Sequence, residues 1–324
     1  MEEKQMKKTI ALVLALCLLL ALGACAYADW PKDGDINVLI PANTGGDTDT
    51  TFRTFSTDIG EQLGTNVMLT NMAGGAGALA TYELLDYESD GYTGLWHHYD
   101  TVILTMLGKV EQRYDEYLDI VAAIPVEGGN YFLTVRKDSE WETLDDFINY
   151  AKENPGKIIW AIEAGGWSQM FAMYTAKTLG IEVNFVDFGS ASNRNAALLG
   201  GNCDVLLIGP STVVDTYPDD FKALASASLE RQAADESIPT FKELGFDIVS
   251  EKFYLFAFKA GTDQAIIDAM ADAIEHAVGT EEGIEVLGTK YAYTGWEVLK
   301  GEAALDYIHA FEAKYEPIAK EMLG

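Results

Sequence analysis

Very little in this 324-residue sequence can form a cross-link, for it holds three cysteines, at positions 17, 25 and 203. The first two lie at its apolar beginning, so the body keeps Cys203 alone and no internal disulfide is open to it. Beside Asp204 and before the apolar Val205-Leu206-Leu207-Ile208, Cys203 reads as a small core residue and not as a nucleophile. Basic residues are scarce too, 22 Lys and Arg against 51 Asp and Glu, a formal net charge of −29. Such an acidic surface excludes nucleic acid and anionic lipid headgroups as partners. Screening confines its field to about 8–10 Å at physiological salt, so a small anion still binds where the site itself is locally positive. There is no internal repeat, no low-complexity segment and, past Leu22, no run long and apolar enough to span a bilayer. His97-His98 with Asp100 nearby invites a metal, yet successive strand side chains point to opposite faces, so both imidazoles do not meet one ion. No metal and no cofactor is expected.

What is present begins with an export signal. Lys4, Lys7 and Lys8 precede an apolar run from Thr9 to Leu22, which is too short to span and ends among small residues, so 1–28 reads as a signal peptide. Leu22-Gly23-Ala24-Cys25 fits a lipobox, which would leave Cys25 as a lipid anchor. Ala26-Tyr27-Ala28 fits an A-x-A site that releases a soluble chain at Asp29. The soluble form is preferred, because a lipoprotein keeps a polar spacer and the first strand here follows Cys25 by only about ten residues. Either way the protein is extracytoplasmic, in the periplasm or at the cell surface.

The most informative stretch is Pro41 to Arg53, between the strand Ile36-Asn37-Val38-Leu39-Ile40 and a helix running to Leu63. A strand, a Gly-Gly turn and a helix start together expose free backbone N–H groups at the positive end of a helix dipole, a site suited to a carboxylate. Glycine lets the backbone approach a ligand closely. Strand and helix alternate throughout, the signature of an α/β fold, and the length calls for two domains. Strands are predicted at 36–40, 66–70, 93–97, 120–126, 130–136, 157–162, 182–187, 204–208, 222–226 and 253–258. Helices are predicted at 47–63, 76–86, 101–107, 143–153, 167–179, 192–200, 263–278, 281–288 and 301–322. Polar breaks at Glu127-Gly128-Gly129-Asn130 and Ser250-Glu251-Lys252 imply two crossings: one lobe from 29–127 and 250–324, another from 128–249.

Across these segments the chain resembles the solute receptors of tripartite tricarboxylate transporters, also called Bug receptors. The resemblance rests on Pro41 to Arg53, on Asn71-Met72-Ala73-Gly74-Gly75-Ala76-Gly77 and on Asp90-Gly91-Tyr92-Thr93. It continues through Asn154-Pro155-Gly156-Lys157, Ala197-Leu198-Leu199-Gly200-Gly201 with Asp204, Ile238 to Gly245, and Ala260-Gly261-Thr262. The loop at 71–77 lacks the family's basic residue, with Met72 in that region, and also its proline.

The resemblance implies a two-lobed, Venus-flytrap α/β fold of the periplasmic-binding-protein type, its lobes joined by a hinge. It implies a non-catalytic receptor that closes on a small carboxylate and presents it to the membrane subunits of a tripartite transporter. The matching residues of the first loop are Thr44, Gly45, Gly46, Asp47, Thr48 and Asp49, with Gly75 from the second loop and Tyr99 at the end of the 93–97 strand. The other lobe is expected to contribute Gly165, Gly166, Trp167 and Ser168, together with Ser190 and Arg194, and Ser192 as a helix cap. Trp167 and Met170 replace the small and histidine residues usual there, which allows a more apolar or aromatic ligand or leaves Trp167 as a packed core indole. Two other readings stay open at this point: a secreted hydrolase using Asp47, Asp49 and His97, and a receptor for a neutral or cationic solute.

Overall fold

The structure, a computed structural model, describes residues 30–32, 34–127, 131–209, 212, 213, 217–232, 235–285 and 294–324. The export segment 1–28, Cys25 and the break at 128–130 lie outside the described residues, as does the end of the helix predicted at 281–288.

Among the described residues, the first sheet has seven strands: β1 (Ile36–Ile40), β2 (Val67–Asn71), β3 (Thr93–His98), β4 (Leu118–Glu127), β10 (Lys252–Lys259), β11 (Thr294–Trp296) and β12 (Leu299–Lys300). Their order is β11-β4-β10-β3-β1-β2, with β12 also on β4. The second sheet orders β7 (Asn184–Asp187), β6 (Ile159–Ile162), β8 (Val205–Ile208), β5 (Phe132–Arg136) and β9 (Phe221–Ser226). Chain ends thus build one sheet and the middle builds the other.

In β1 every second residue faces the same side. Ile36, Val38 and Ile40 enter one buried cluster with Phe52, Phe55 and Ile59 of helix α1 (Asp47–Leu63), while Leu39 enters another with Ala80 and Leu84. Full burial of each such side chain contributes roughly 1.5–3 kcal/mol. The second sheet repeats the device: Trp160 and Ile162 of β6 face Phe147, and Ala161 faces Leu198 on the opposite side. There helix α5 (Leu144–Glu153) starts on a capping box in which Thr143 and Asp146 satisfy each other's backbone N–H groups. Between α1 and α5 lie α2 (Ala78–Leu85), α3 (Asp100–Met106) and α4 (Tyr114–Tyr117).

The order of strands decides where a ligand fits. β1 is parallel to both β2 and β3 and lies between them, and β6 likewise lies between β7 and β8. Helices that leave such a central strand and its neighbours diverge, opening a crevice at the carboxyl ends of the strands. Loops 41–46 and 72–77 and residue Tyr99 share that edge in the first lobe; loops 163–166 and 188–190 share it in the second.

The lobes are joined through hydrogen-bonded crossings. Tyr131 C=O accepts from Ala227 N–H at 2.8 Å, and Ala227 C=O accepts from Ser250 N–H at 2.8 Å. Helices α8 (Gln264–Val278) and α9 (Glu281–Glu285) complete the first lobe, and the last helix α10 (Glu302–Leu323) spans both lobes. Its Phe311 meets Phe253 of the first sheet, while Tyr315 and Glu321 meet Tyr174 and Lys177 of the second lobe. The C-terminal half of α10 therefore packs on the second lobe, although 250–324 reads as first-lobe sequence.

Candidate functional site

Helix α1 begins at Asp47 behind Gly46, its N-cap, and no side chain caps it. Its first backbone N–H groups thus take no side-chain cap, the condition under which a helix start can serve an anion. The turn before it is braced from beneath by Asp49, which is 0% exposed. Asp49 Oδ2 accepts from Gly45 N–H at 2.8 Å, and Oδ1 accepts from Arg53 at 2.6 Å and from the Asn71 amide at 3.0 Å. Burial pushes the Asp49 carboxyl up, but the hydrogen bonds from Arg53, Gly45 and Asn71 outweigh it and hold it below the usual range. Gly45 needs its φ of 81° to aim that N–H, which a β-carbon would oppose.

The remaining first-lobe residues fall around this brace. Thr44 is exposed and donates to Asn71 Oδ1 at 3.0 Å. Thr48 is buried, its C=O receiving the Trp96 indole N–H at 3.1 Å. Asp47 supplies the first helical position, and its side chain is outside the described set. Gly75 is exposed and opens the short 3-10 turn Gly75–Gly77. A hydrolytic role for Asp49 meets a carboxylate already committed to three donors, and His97 is buried with Nδ1 accepting the His98 N–H at 2.8 Å.

In the second lobe, helix α6 (Trp167–Leu179) starts behind Gly166, again with no side-chain cap. Gly165, at φ 70°, donates its N–H to the Gln169 side chain at 2.8 Å, and its C=O accepts from the Lys109 ammonium of the first lobe. Trp167 is 6% exposed. Its ring stacks on Phe171 at 5.1 Å and meets Tyr99 at 4.7 Å and Tyr315 at 5.0 Å. The indole is thus both a core residue and the point where Tyr99 touches the second lobe. Burial, then the neighbouring Tyr131 at the first crossing, pushes the Tyr99 hydroxyl well up from its ordinary value.

Helix α7 (Ala191–Leu199) is capped by Ser190, which accepts from Asn193 N–H at 3.4 Å. The expected cap Ser192 lies one residue inside the helix, because the chain turns helical at Ala191. Arg194 is 8% exposed; its Nη1 donates to Gly189 C=O at 3.1 Å and to Glu163 Oε2 at 3.3 Å. Arg194 Nε and Trp167 Nε1 are buried without a hydrogen-bond partner among the described residues. Tyr131, Trp167, Ser168, Phe171, Arg194 and Leu207 surround a cavity of ≈ 20 Å³. Gly165, Gly166, Trp167, Ser168 and Arg194 therefore come together, and Tyr99 joins them from the first lobe. Among the described residues, no group of three or more His, Cys, Asp or Glu is placed to hold a metal ion.

Two groups that sequence reasoning did not single out belong here, Lys109 and Glu163, and with them Asp100, which it weighed only beside the His97-His98 pair. Asp100 opens α3, and its Oδ1 is buried without a partner among the described residues. Burial, then repulsion from Glu163, pushes its carboxyl up to about 7, against the pull of Lys109 and Lys252. His98, 3.8 Å away, is held well below its ordinary value by burial, then by His97 and Lys252. Nothing in the sequence distinguishes these residues from solvated charges; their burial and neighbours do.

The wider comparison agrees with this architecture. Residues 51–307 match the TctC family, described as tripartite tricarboxylate transporter family receptor. The UPF0065 protein in the gbd 5′ region of Cupriavidus necator is 28% identical over 270 residues, 83% of this chain and 82% of that protein. A TctC solute-binding protein from Polaromonas superposes with a TM-score of 0.72 at 22% identity, covering 90% of this chain and 99% of its own. The MatC protein of Rhodopseudomonas palustris, solved with bound malate, superposes at 0.68 and 20% identity, covering 88% of this chain and 98% of its own. Such neighbours carry the two-lobed periplasmic-binding fold, and the match over most of the chain settles its kinship: the protein belongs to the tripartite tricarboxylate transporter receptor family.

Proposed function

We propose that this protein is an extracytoplasmic receptor that captures a small carboxylate between its lobes and delivers it to the membrane subunits of a tripartite transporter. The lobes are 29–127 with 250–324, and 128–249, after removal of 1–28, with the far end of α10 acting as a strap across both. The ligand sits on the N–H groups at the start of α1, between Thr44 and Asp49, near Gly75. It is enclosed by Tyr99 and by the second-lobe set Gly165, Gly166, Trp167, Ser168, Ser190 and Arg194. One observation carries the reading: a buried arginine with an unspent donor stands beside the uncapped start of a 13-residue helix. Buried donors seek acceptors, and a guanidinium beside a helix N-terminus is best matched by an anion. Bound malate in a protein of the same fold supports the size and charge of the class.

The test is native mass spectrometry of the purified protein, followed by thermal shifts with malate, succinate, adipate, benzoate and aspartate. A shift of several degrees with one acid is the expected result. Stabilisation by neutral or cationic solutes, with every carboxylate silent, would leave the fold standing and remove the carboxylate assignment.

A further inference from the structure

We propose that Glu163 stands on Arg194 as an internal substitute for the ligand's carboxylate, so that the receptor admits solutes whose carboxylate displaces it. This rests on the receptor reading above and specifies which end of the site takes the charge. The pair is asymmetric: the Arg194 side chain is 9% exposed and that of Glu163 57%. A guanidinium remains charged at any ordinary pH, so a buried one must keep an anion or strong acceptors around it. An exposed carboxylate has no such need, and it returns to water at little cost. The acid is therefore the exchangeable partner and the base the fixed one.

The donors around Arg194 are arranged for more than Glu163 uses. Glu163 reaches Nη1 alone, and Gly189 C=O orients the same nitrogen. Arg194 and Trp167, whose Nε and Nε1 are unpartnered among the described residues, line the ≈ 20 Å³ cavity with Ser168. Ser168 Oγ accepts from Glu163 N–H at 3.3 Å, which leaves its own hydrogen free to donate. Three donor-bearing side chains, Arg194, Trp167 and Ser168, thus line a space that holds about one oxygen atom. A carboxylate oxygen takes the Nη1 position that Glu163 leaves and keeps the guanidinium's charge compensated. A neutral amide offers a single acceptor and leaves the arginine uncompensated once Glu163 departs. An ammonium group adds a second positive charge.

The test compares the wild type, Glu163→Gln and Arg194→Gln by isothermal titration calorimetry with malate, succinate, adipate, benzoate and the neutral diamide succinamide. Glu163→Gln is an isosteric change at an exposed site and keeps the protein foldable. The expected result is roughly fivefold tighter carboxylate binding by Glu163→Gln than by the wild type. Arg194→Gln should weaken it by more than about tenfold, and succinamide should bind none of the three. Unchanged or weaker carboxylate binding by Glu163→Gln overturns the proposal. Equal carboxylate binding by all three overturns it too, while the receptor reading stands. Silence of every carboxylate with all three proteins overturns both.

Discussion

The two strand-to-helix loops of this receptor start from the same plan and are finished differently. Each leaves a buried strand, turns on a glycine at positive φ and opens an uncapped helix behind a second glycine, Gly45 and Gly46 in one, Gly165 and Gly166 in the other. In the first, the buried charge is Asp49, and its oxygens are taken up by Gly45, Arg53 and Asn71. Beside the second, the buried charge is Arg194, which among the described residues keeps a donor unspent and leans on an exposed acid. A satisfied network fixes a loop, whereas an unsatisfied one is completed by something from outside. On the proposed reading, the first lobe offers a preformed cradle and the second a clamp that the ligand completes.

The sharpest way to break this contrast is at Trp167, where clamp and core coincide. Trp167→Ala removes an indole stacked on Phe171 and touching Tyr99 and Tyr315, and should cost roughly 3–5 kcal/mol by denaturant unfolding. A loss below about 1 kcal/mol would mean that the indole is not part of a core shared by the lobes.

Asp100 carries the next largest effect, and it appears as a pH dependence. Its folded value is about 7 against an ordinary 3.8, so the folded state holds the proton more tightly than the unfolded chain. The stability this contributes is present below about pH 4 and is lost as pH rises through 7. Relative to Asp100→Asn, the wild type should lose up to about 1.4 kcal/mol per pH unit across that window. His98 works in the opposite sense: its lowered value makes stability fall as pH drops below 6.5, and that slope persists in both proteins. Parallel stability–pH curves for the two proteins would show that Asp100 ionises freely.

Asp49 and Arg194 give the direct comparison. Asp49→Asn exchanges charge-assisted hydrogen bonds for weaker ones and should cost about 2 kcal/mol, with part of the Arg53 contribution recovered from solvent. Arg194→Gln should move stability by less than about 1 kcal/mol, since removing a poorly satisfied buried charge is close to neutral. Equal losses from the two variants would erase the distinction between cradle and clamp.

How far such features can be read from sequence follows from what each depends on. The predicted limits 47–63 and 167–179 coincide with α1 and α6, because glycine bounds both ends: Gly46 and Gly64, Gly166 and Gly180. Capping and periodicity are local, and local signals survive into the fold. The strands 294–296 and 299–300 are absent from that reading, since two or three residues show no period and exist only by pairing with β4. In the site, Gly165 to Ser168 and Arg194 are visible as a glycine turn and an oddly placed cation. The meaning of Glu163 and Asp100 is not visible, because it lies in a difference of exposure between groups 31 residues apart in one case and in burial between lobes in the other.

The smallest expected effect concerns the contact that bridges the two regions. Lys109 reaches from the first lobe to the carbonyl of Gly165, and Tyr82 Oη donates to the Lys109 carbonyl at 3.2 Å, steadying the segment that carries it. An exposed ammonium on a neutral acceptor is worth less than about 1 kcal/mol, so Lys109→Met should leave the melting temperature almost unmoved. On the proposed reading its effect belongs to closure: the contact forms when the lobes meet, so its loss penalises the closed form and not the folded one. A ligand that selects the closed form then binds more weakly by the same small factor, about fivefold at most. Weakened binding at constant melting temperature is the expected signature, read by calorimetry with the acid that gives the largest thermal shift. A fall in melting temperature without a change in affinity would make Lys109 part of the scaffold, and the two loops would then meet independently of what they bind.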